Sequence, residues 1–256
     1  MEKALIERRF SKAIKSYRNQ AGAQMQIART LIRHIKRNRE NPAFSRVLEV
    51  GCGSGALTRE FLRSYTPEHL YLNDLCSEIA SGEIAEYMAP APSTEVNYLI
   101  GDVERLALPQ DLDIIISSSV LQWLESPLSF IIKSSKLLRK GGIMAFSLFG
   151  PQNLYEIATL TKVSLNYLPL EAFCGRLSAD FELLEAKEEK ITLLFDSPRE
   201  VLLHLKGTGV NGVGDYRWSK KSLHDFISAY WERYALPSGK VHLTYHPYYI
   251  ILKKRN

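Results

Sequence analysis

The amino-acid sequence predicts an α/β fold, in which one mainly parallel sheet carries helices on both faces. Short apolar runs alternate along the chain with segments of helical periodicity, a pattern typical of β-α-β units. The first run, residues 46–50, passes directly into three closely spaced glycines at positions 51, 53 and 55. A helical pattern then begins at Ala56. A buried strand, a glycine turn and a helix in this order are typical of nucleotide-binding α/β folds.

The other elements are predicted from the same periodicities. Further strands are expected at residues 69–73, 96–100, 112–117, 143–148, 181–195 and 241–253. Helices are expected over residues 3–39 and 126–138, the second ending at a Lys-Gly-Gly stop. Two segments, 150–170 and 198–235, are too long for simple connections and are expected to form a helical lid. We therefore expect a single domain over residues 1–256, with N-terminal helices in residues 1–40.

An acidic residue at the end of the first strand distinguishes between two ligand classes. Gly51, Gly53 and Ala56 also satisfy the looser dinucleotide fingerprint, so the glycines alone leave both classes open. Glu49 would repel a pyrophosphate but attract a sulfonium or ammonium group. The pattern Glu-x-Gly-x-Gly-x-Gly resembles motif I of class I methyltransferases, which use S-adenosylmethionine. This resemblance implies a Rossmann-like, seven-stranded sheet whose last strand is antiparallel, and the alternation in residues 241–245 suits such a strand.

Two later acidic residues extend the resemblance. Asp74 lies nineteen residues after Gly55, where a carboxylate can accept hydrogen bonds from both ribose hydroxyls; a helix cap near Ser77 is the alternative. In class I methyltransferases, an acidic residue at the place of Asp102 binds the adenine amino group, and the next backbone N–H meets a ring nitrogen. The cofactor-binding residues predicted on this basis are Glu49, Gly51, Cys52, Gly53, Gly55, Asp74, Leu75, Asp102, Val103 and Ser118.

Motifs outside the glycine turn are similar to those of the malonyl-[acyl-carrier protein] O-methyltransferases of biotin synthesis, from about residue 8 to residue 253. Ser118 departs from the family pattern, where asparagine is frequent, and Asn73 stands where many relatives have a small or apolar residue. The stretches that carry the similarity are Arg9-Phe10-Ser11-Lys12-Ala13, Ser16-Tyr17, Ala21 and Gln24, Ser117-Ser118-Ser119-Val120-Leu121-Gln122-Trp123, Phe146-Ser147-Leu148-Phe149-Gly150, Leu205-Lys206-Gly207-Thr208-Gly209 and Leu243-Thr244-Tyr245-His246.

The resemblance implies methylation of the free carboxylate of a malonyl thioester. A carboxylate is already ionised at neutral pH, so the reaction needs positioning and little water, but neither a general base nor a metal. Tyr17 and Lys206 are the candidates for orienting the carboxylate, against aromatic packing and a solvated loop lysine as alternatives. Trp123 and Phe149 are expected to form apolar walls for the substrate, with core packing as the alternative for Phe149.

The charge of the chain indicates which kind of partner protein it could bind. The chain carries 33 Lys and Arg against 28 Asp and Glu, a formal net charge of +5. Arg29, Arg33 and Arg37 recur every four residues and share one helix face, which is either a solvated face or a docking surface for acidic acyl carrier protein. Neither a nucleic-acid module nor a base-stacking Asn-Pro-Pro-aromatic run after the fourth strand is found, so nucleic acid is not expected as a partner.

Other features of the sequence suggest where the protein works. The chain has no run of 18 apolar residues, its first residues lack the apolar segment of a signal peptide, and its three cysteines form no metal-binding spacing. We therefore expect a cytoplasmic protein that does not span a membrane. Three other functions remain open: an assembly factor that methylates a protein arginine, a small-molecule carboxyl methyltransferase, and a non-catalytic module that only binds the cofactor.

Overall fold

The computed structural model describes residues 3, 7, 22–38, 43–81, 85–86, 89–177, 179–208 and 218–255. Its helices are α1 Gly22–Arg37, α2 Ala56–Leu62, α3 Pro127–Ser134, α4 Tyr155–Thr161, α5 Leu170–Cys174, α6 Pro198–Gly207 and α7 Lys220–Tyr234, with 3₁₀ turns at Ser77–Ala80 and Leu121–Trp123. Its strands are β1 Arg46–Val50, β2 His69–Asp74, β3 Glu95–Ile100, β4 Leu112–Ser118, β5 Leu138–Phe149, β6 Phe181–Glu188, β7 Ile191–Phe195, β8 Val241–Tyr245 and β9 Pro247–Lys254.

Seven of these strands form one sheet in the order β3-β2-β1-β4-β5-β9-β6. Strands β1 to β5 are parallel, while β9 runs antiparallel to both β5 and β6. The chain proceeds from β1 outward to β2 and β3, and then returns to the other side of β1 with β4. The strand order therefore reverses at β1, and α/β folds bind their ligands beside such a reversal, at the carboxyl ends of the strands.

Hydrophobic cores cover both faces of this sheet, as the α/β prediction requires. Val47 packs in one core with the apolar stripe of α1, whereas the next residue, Leu48, packs in the other with α3. Successive side chains of a strand point to opposite faces, so a strand buried on both faces reads as a continuous apolar run. This explains why β1 and β4 were recognisable in the sequence. The class I methyltransferase sheet with helices on both faces is confirmed.

The last two predicted strands, 181–195 and 241–253, were wrong as single elements. The structure divides each of them, and the inner halves β7 and β8 pair with each other in a separate two-stranded antiparallel sheet. The antiparallel strand of the main sheet is β9, so the assignment of residues 241–245 to that position was also wrong. Alternating polarity reports which residues of a strand are buried, but it does not identify the partner strand.

The helix predicted over residues 126–138 is shorter than expected. Helix α3 ends at Ser134, and Leu138 already belongs to β5. Gly141 and Gly142 lie inside that strand and do not terminate a helix. A Cβ atom on Gly142 would lie 2.9 Å from the carbonyl oxygens of Arg139 and Leu112, so this position needs glycine because backbone atoms approach it closely.

Helices α1, α4, α6 and α7 lie in the segments assigned to the N-terminal helices and the lid. Of the helix predicted over residues 3–39, α1 is the part that the structure describes continuously. Helices α6 and α7 pack against β7 and β8, and α4 packs against α7. Whether these helices cover a substrate, and whether residues 1–256 act as one domain, remain predictions. Among the residues described, no helix is long and apolar enough to cross a membrane.

Candidate functional site

Three left-handed glycines form the loop that follows β1. Gly51, Gly53 and Gly55 have φ angles of 70°, 51° and 84°, a region that glycine occupies without the strain of a Cβ atom. A Cβ on Gly51 would lie 2.4 Å from the Val120 side chain. We call residues 51–55 the glycine loop. The loop is therefore shaped by both its own backbone geometry and the segment that follows β4.

The end of β2 holds the glycine loop in place. The backbone N–H groups of Gly51 and Cys52 both donate to the Asn73 carbonyl oxygen, each at 2.9 Å. The Asn73 side chain in turn donates to the carbonyl oxygens of Leu99 and Gly101. Sequence analysis identified Asn73 only as a departure from the family pattern. Its amide explains the departure, because it joins the end of β2 to β3 beneath the loop.

Asp74 is also tied to the backbone of the loop. Its two carboxylate oxygens accept hydrogen bonds from the N–H groups of Gly53, at 2.8 Å, and Cys76, at 2.9 Å. Burial raises the pKa of Asp74, while these two hydrogen bonds act in the opposite direction. A role in holding the loop was not foreseen, and it is compatible with the predicted contact to a ribose, since each carboxylate oxygen can accept a second hydrogen bond.

Glu49 is buried beneath the loop with one oxygen unsatisfied. The residue is 1% exposed, and its Oε2 atom has no hydrogen-bond partner among the described residues. Burial raises its pKa to about 8, against hydrogen bonds from Thr58 that favour the ionised form. Burying an unpaired polar atom costs free energy unless a ligand supplies its partner. A bound cation would supply that partner, whereas a pyrophosphate would add to the cost.

A cavity opens above these residues at the carboxyl ends of β1, β2, β3 and β4. We call it the cofactor cavity. Nine of the ten predicted cofactor-binding residues line it, and Gly55 does not. Trp123 lines it as well, and its predicted contact with the substrate stays a prediction. The lining residues that sequence analysis did not assign are Lys3, Glu7, Gln24, Val50, Ser54, Ala56, Leu57, Asn73, Cys76, Gly101, Ser119, Val120 and Leu124.

The start of the chain reaches the edge of the cofactor cavity through Lys3. The Lys3 ammonium group lies 2.5 Å from Asp102 and 2.7 Å from Glu104. Burial is the largest single effect on the pKa of Asp102 and would raise it, but the hydrogen bonds from Lys3 and the Glu104 N–H, together with the positive charges of Lys3 and Arg105, lower the pKa overall. Asp102 therefore stays ionised with one oxygen engaged by Lys3. No motif in the sequence connected residues 3 and 102, which are distant along the chain.

The residues predicted to act on the substrate are placed less closely together. Tyr17 lies outside the described residues. Lys206 is exposed in the last turn of α6 and does not line the cofactor cavity, so its expected location in a glycine-rich turn was wrong. Phe149 is buried, packs against Tyr245 and lines a neighbouring groove. Within the described ranges, no three histidine, cysteine, aspartate or glutamate side chains could together hold a metal ion.

Comparison with known proteins agrees with this geometry. A family model described as a methyltransferase domain matches residues 48–146. A malonyl-[acyl-carrier protein] O-methyltransferase of Bacteroides helcogenes is 38% identical over 273 residues, covering 100% of both chains. Its namesake from Haemophilus influenzae is 34% identical and covers 99% of this chain and 95% of its own. The chain belongs to the malonyl-[acyl-carrier protein] O-methyltransferase family. A relative of this family from Bacteroides fragilis is 42% identical, and the chain spans 51% of its length.

Solved structures support the same fold for this member of the family. The YcgJ protein of Bacillus subtilis matches with a TM-score of 0.60 at 17% identity, covering 88% of this chain and 98% of its own. Phosphoethanolamine N-methyltransferase 2 of Haemonchus contortus, solved with S-adenosyl-L-methionine, matches with a TM-score of 0.57 at 14% identity, covering 96% of this chain and 57% of its own. At such low identity these likenesses show the fold alone.

The contact between Gly51 and Val120 gives a first prediction. We expect Gly51→Ala to lower the free energy of unfolding by about 2–5 kcal/mol, because a left-handed alanine is strained and its Cβ would overlap Val120. The matched control is Gly239→Ala, where φ is 75° but no atom lies within 4 Å of the new Cβ. Urea unfolding of both variants measures the difference, and equal losses would contradict the packing argument.

The raised pKa of Glu49 gives a second prediction. Its folded value of about 8 exceeds the ordinary value of 4.5, so the folded state binds the proton more tightly than the unfolded state. Glu49 therefore lowers the stability of the cofactor-free protein progressively as the pH rises from about 4.5 to 8. We expect Glu49→Gln to gain stability relative to the wild type over this window, by about 1.4 kcal/mol for each unit of pKa shift removed.

Urea unfolding at pH 5 and pH 8 tests this expectation, since only the difference between the two proteins isolates Glu49 from other titrating groups. A difference that is the same at both pH values would show that Glu49 ionises normally in the folded protein. Binding of S-adenosylmethionine to Glu49→Gln, measured by calorimetry, is expected to be weaker than to the wild type at pH 8, where part of Glu49 is ionised, and similar at pH 5, where Glu49 is protonated.

Proposed function

We propose that the protein transfers a methyl group from S-adenosylmethionine to the free carboxylate of malonyl-acyl carrier protein, giving the methyl ester used in biotin synthesis. The observation that carries this proposal is similarity at 34–42% identity, over 99–100% of this chain, to proteins that bear this name. The cofactor cavity independently supports the methyl donor in this proposal. A buried carboxyl with an unsatisfied oxygen beneath a glycine loop suits a cationic methyl donor.

The residues of the cofactor cavity have different roles in this proposal. Glu49 faces the cationic end of the cofactor, because its free oxygen needs a positively charged or hydrogen-donating partner. Asp74 holds the glycine loop and accepts from the ribose hydroxyls. Asp102 and Val103 line the part of the cavity where the adenine is expected, and Ser118, at the end of β4, lines the same cavity.

The chemistry of this transfer makes few demands on the protein. S-adenosylmethionine supplies an electrophilic methyl group: a carboxylate oxygen bonds to the methyl carbon, the carbon–sulfur bond breaks, and S-adenosylhomocysteine is the leaving group. No proton has to move. The protein's task is to hold the carboxylate in line and keep water out, which well-positioned apolar walls and a few hydrogen-bond donors achieve. Trp123 supplies one such wall beside the cofactor, and Tyr17, which lies outside the described residues, stays a predicted donor.

A basic surface on α1 is the proposed docking site for the carrier protein. Arg29, Arg33 and Lys36 are exposed on this helix, and together with Arg63 they line one shallow depression. Glu60 pairs with Arg29 and Arg63, so part of this charge is neutralised locally. Opposite charge increases the rate of encounter with an acidic partner more than it increases intrinsic affinity. We also propose a cytoplasmic location, which is supported by the three cysteines, since they form no disulfide in the described part of the chain.

Incubation with methyl-labelled S-adenosylmethionine and malonyl-acyl carrier protein tests the reaction. We expect label on the carrier protein that base releases as volatile methanol, because a methyl ester is hydrolysed by base. Acetyl-acyl carrier protein is the matched control, since it lacks a free carboxylate and should remain unlabelled. Base-stable label on a protein would favour the arginine-modifying alternative, and absence of any transfer to the malonyl form would refute the proposal.

Charge reversal on α1 tests the docking site. We expect Arg33→Glu to raise KM for malonyl-acyl carrier protein about tenfold at low salt, because it weakens steering of an acidic partner, and to leave kcat within about twofold. Lys133→Glu on α3 makes the same charge change on another exposed surface and should leave KM unchanged. Steady-state kinetics at several salt concentrations provide the measurement. Equal effects of the two variants would show that only net charge matters.

A further inference from the structure

A second cavity lies on the other side of the segment that follows β4. Ser119, Val120 and Trp123 line the cofactor cavity, whereas Gln122 faces away from it and lines a neighbouring groove. We call this neighbouring cavity the apolar groove. Its walls come from the start of α3, the end of β5, the segment before α5 and α5 itself, and they include Leu128, Leu148, Phe149, Tyr167 and Phe173. The two cavities therefore share one thin wall, formed by residues 119–123.

Ser119, at the start of this wall, has a strained backbone. Its φ of 59° lies in the left-handed region, which a residue with a side chain occupies at a cost. Its N–H donates to the carbonyl and hydroxyl oxygens of Ser147, each at 3.1 Å, and these bonds fix the conformation. The Ser119 hydroxyl is buried and has no hydrogen-bond partner among the described residues. Backbone strain that the surrounding structure holds in place is common at residues whose side chains bind a ligand.

Gln122 places a second unsatisfied polar atom in the same wall. Its side-chain nitrogen donates to the Ser119 carbonyl oxygen at 2.7 Å, which joins the two residues. Its Oε1 atom is buried without a hydrogen-bond partner in the described part of the chain. The wall thus contains a hydroxyl that can donate and an amide oxygen that can accept. Buried polar atoms are rarely left unpaired, so these two point to a ligand that brings its own complementary groups.

We propose that the apolar groove binds the thioester arm of the substrate and that the Ser119 hydroxyl donates a hydrogen bond to the carboxylate that becomes methylated. The apolar lining suits the methylene groups of a pantetheine arm, and Gln122 Oε1 accepts from an amide N–H of that arm. A hydroxyl can orient an ionised carboxylate because it donates a hydrogen bond and is not itself a base at neutral pH. This inference rests on the proposed function and adds the location of the substrate to it.

Ser119→Gly tests the hydrogen bond while removing the backbone strain. We expect kcat/KM for malonyl-acyl carrier protein to fall about ten- to hundredfold, as for loss of a hydrogen bond to a charged group. The dissociation constant of S-adenosylmethionine should change less than about twofold, and thermal stability should not fall, since glycine accepts this φ. Asp111→Gly is the matched control, because Asp111 is exposed and has a φ of 56° away from both cavities.

A bulky side chain in the apolar groove tests the location of the arm. Leu128→Trp is expected to raise KM for malonyl-acyl carrier protein about tenfold or more by filling the groove, with binding of S-adenosylmethionine unchanged. Ile132→Trp, four residues further along α3 and exposed to solvent, should behave like the wild type.

The outcomes separate this inference from the proposed function. A wild-type protein without activity on malonyl-acyl carrier protein would refute the proposed function, and the inference with it. An active wild type whose Ser119→Gly variant keeps full kcat/KM would refute the role of Ser119 alone. An active wild type in which Leu128→Trp and Ile132→Trp have equal KM values would exclude the groove as the site of the arm.

Discussion

The attachment of the glycine loop to the end of β2 is the contact on which the cofactor cavity depends. Backbone N–H groups of the loop donate to the carbonyl oxygen of Asn73 and to the carboxylate of Asp74. These bonds keep the loop folded against the sheet, so that Glu49 below it is shielded from water. If the loop moved away, water would reach Glu49 and hydrogen-bond to its unsatisfied oxygen. A cationic cofactor would then gain less free energy by binding there, because that oxygen would already have a partner.

One buried and one half-buried carboxyl group beneath the cofactor cavity are costly for the free protein. The pKa values of Glu49 and Asp74 are both raised, mainly by burial. Two hydrogen bonds from backbone N–H groups offset the cost of burying the Asp74 carboxylate. Glu49, in contrast, keeps one oxygen without a partner in the part of the chain described. A cationic ligand would offset this cost on binding. The same arrangement disfavours nicotinamide and flavin nucleotides, whose pyrophosphates carry negative charge.

The segment after β4 connects the two halves of the proposed active site. Val120 packs against Gly51, so the cofactor loop and the shared wall have to be shaped together. Ser119 is held by Ser147 of β5, which ties the same wall to the neighbouring strand. A reaction that moves no proton leaves catalysis to such positioning. The protein therefore needs a rigid wall with few polar atoms, and it has no use for a general base.

The sequence by itself determined the parallel core of the fold and nine of the residues that line the cofactor cavity, because buried strands, left-handed glycines and acidic residues at strand ends are local features. It could not assign the strand partners of residues 191–195 and 241–245, since alternating polarity does not identify a partner. Nor could it find Lys3 beside Asp102, the anchoring by Asn73, or the unsatisfied atoms of Ser119 and Gln122. Those features depend on which distant segments of the chain pack together and on which polar atoms this packing leaves without a partner. Only the tertiary structure decides both.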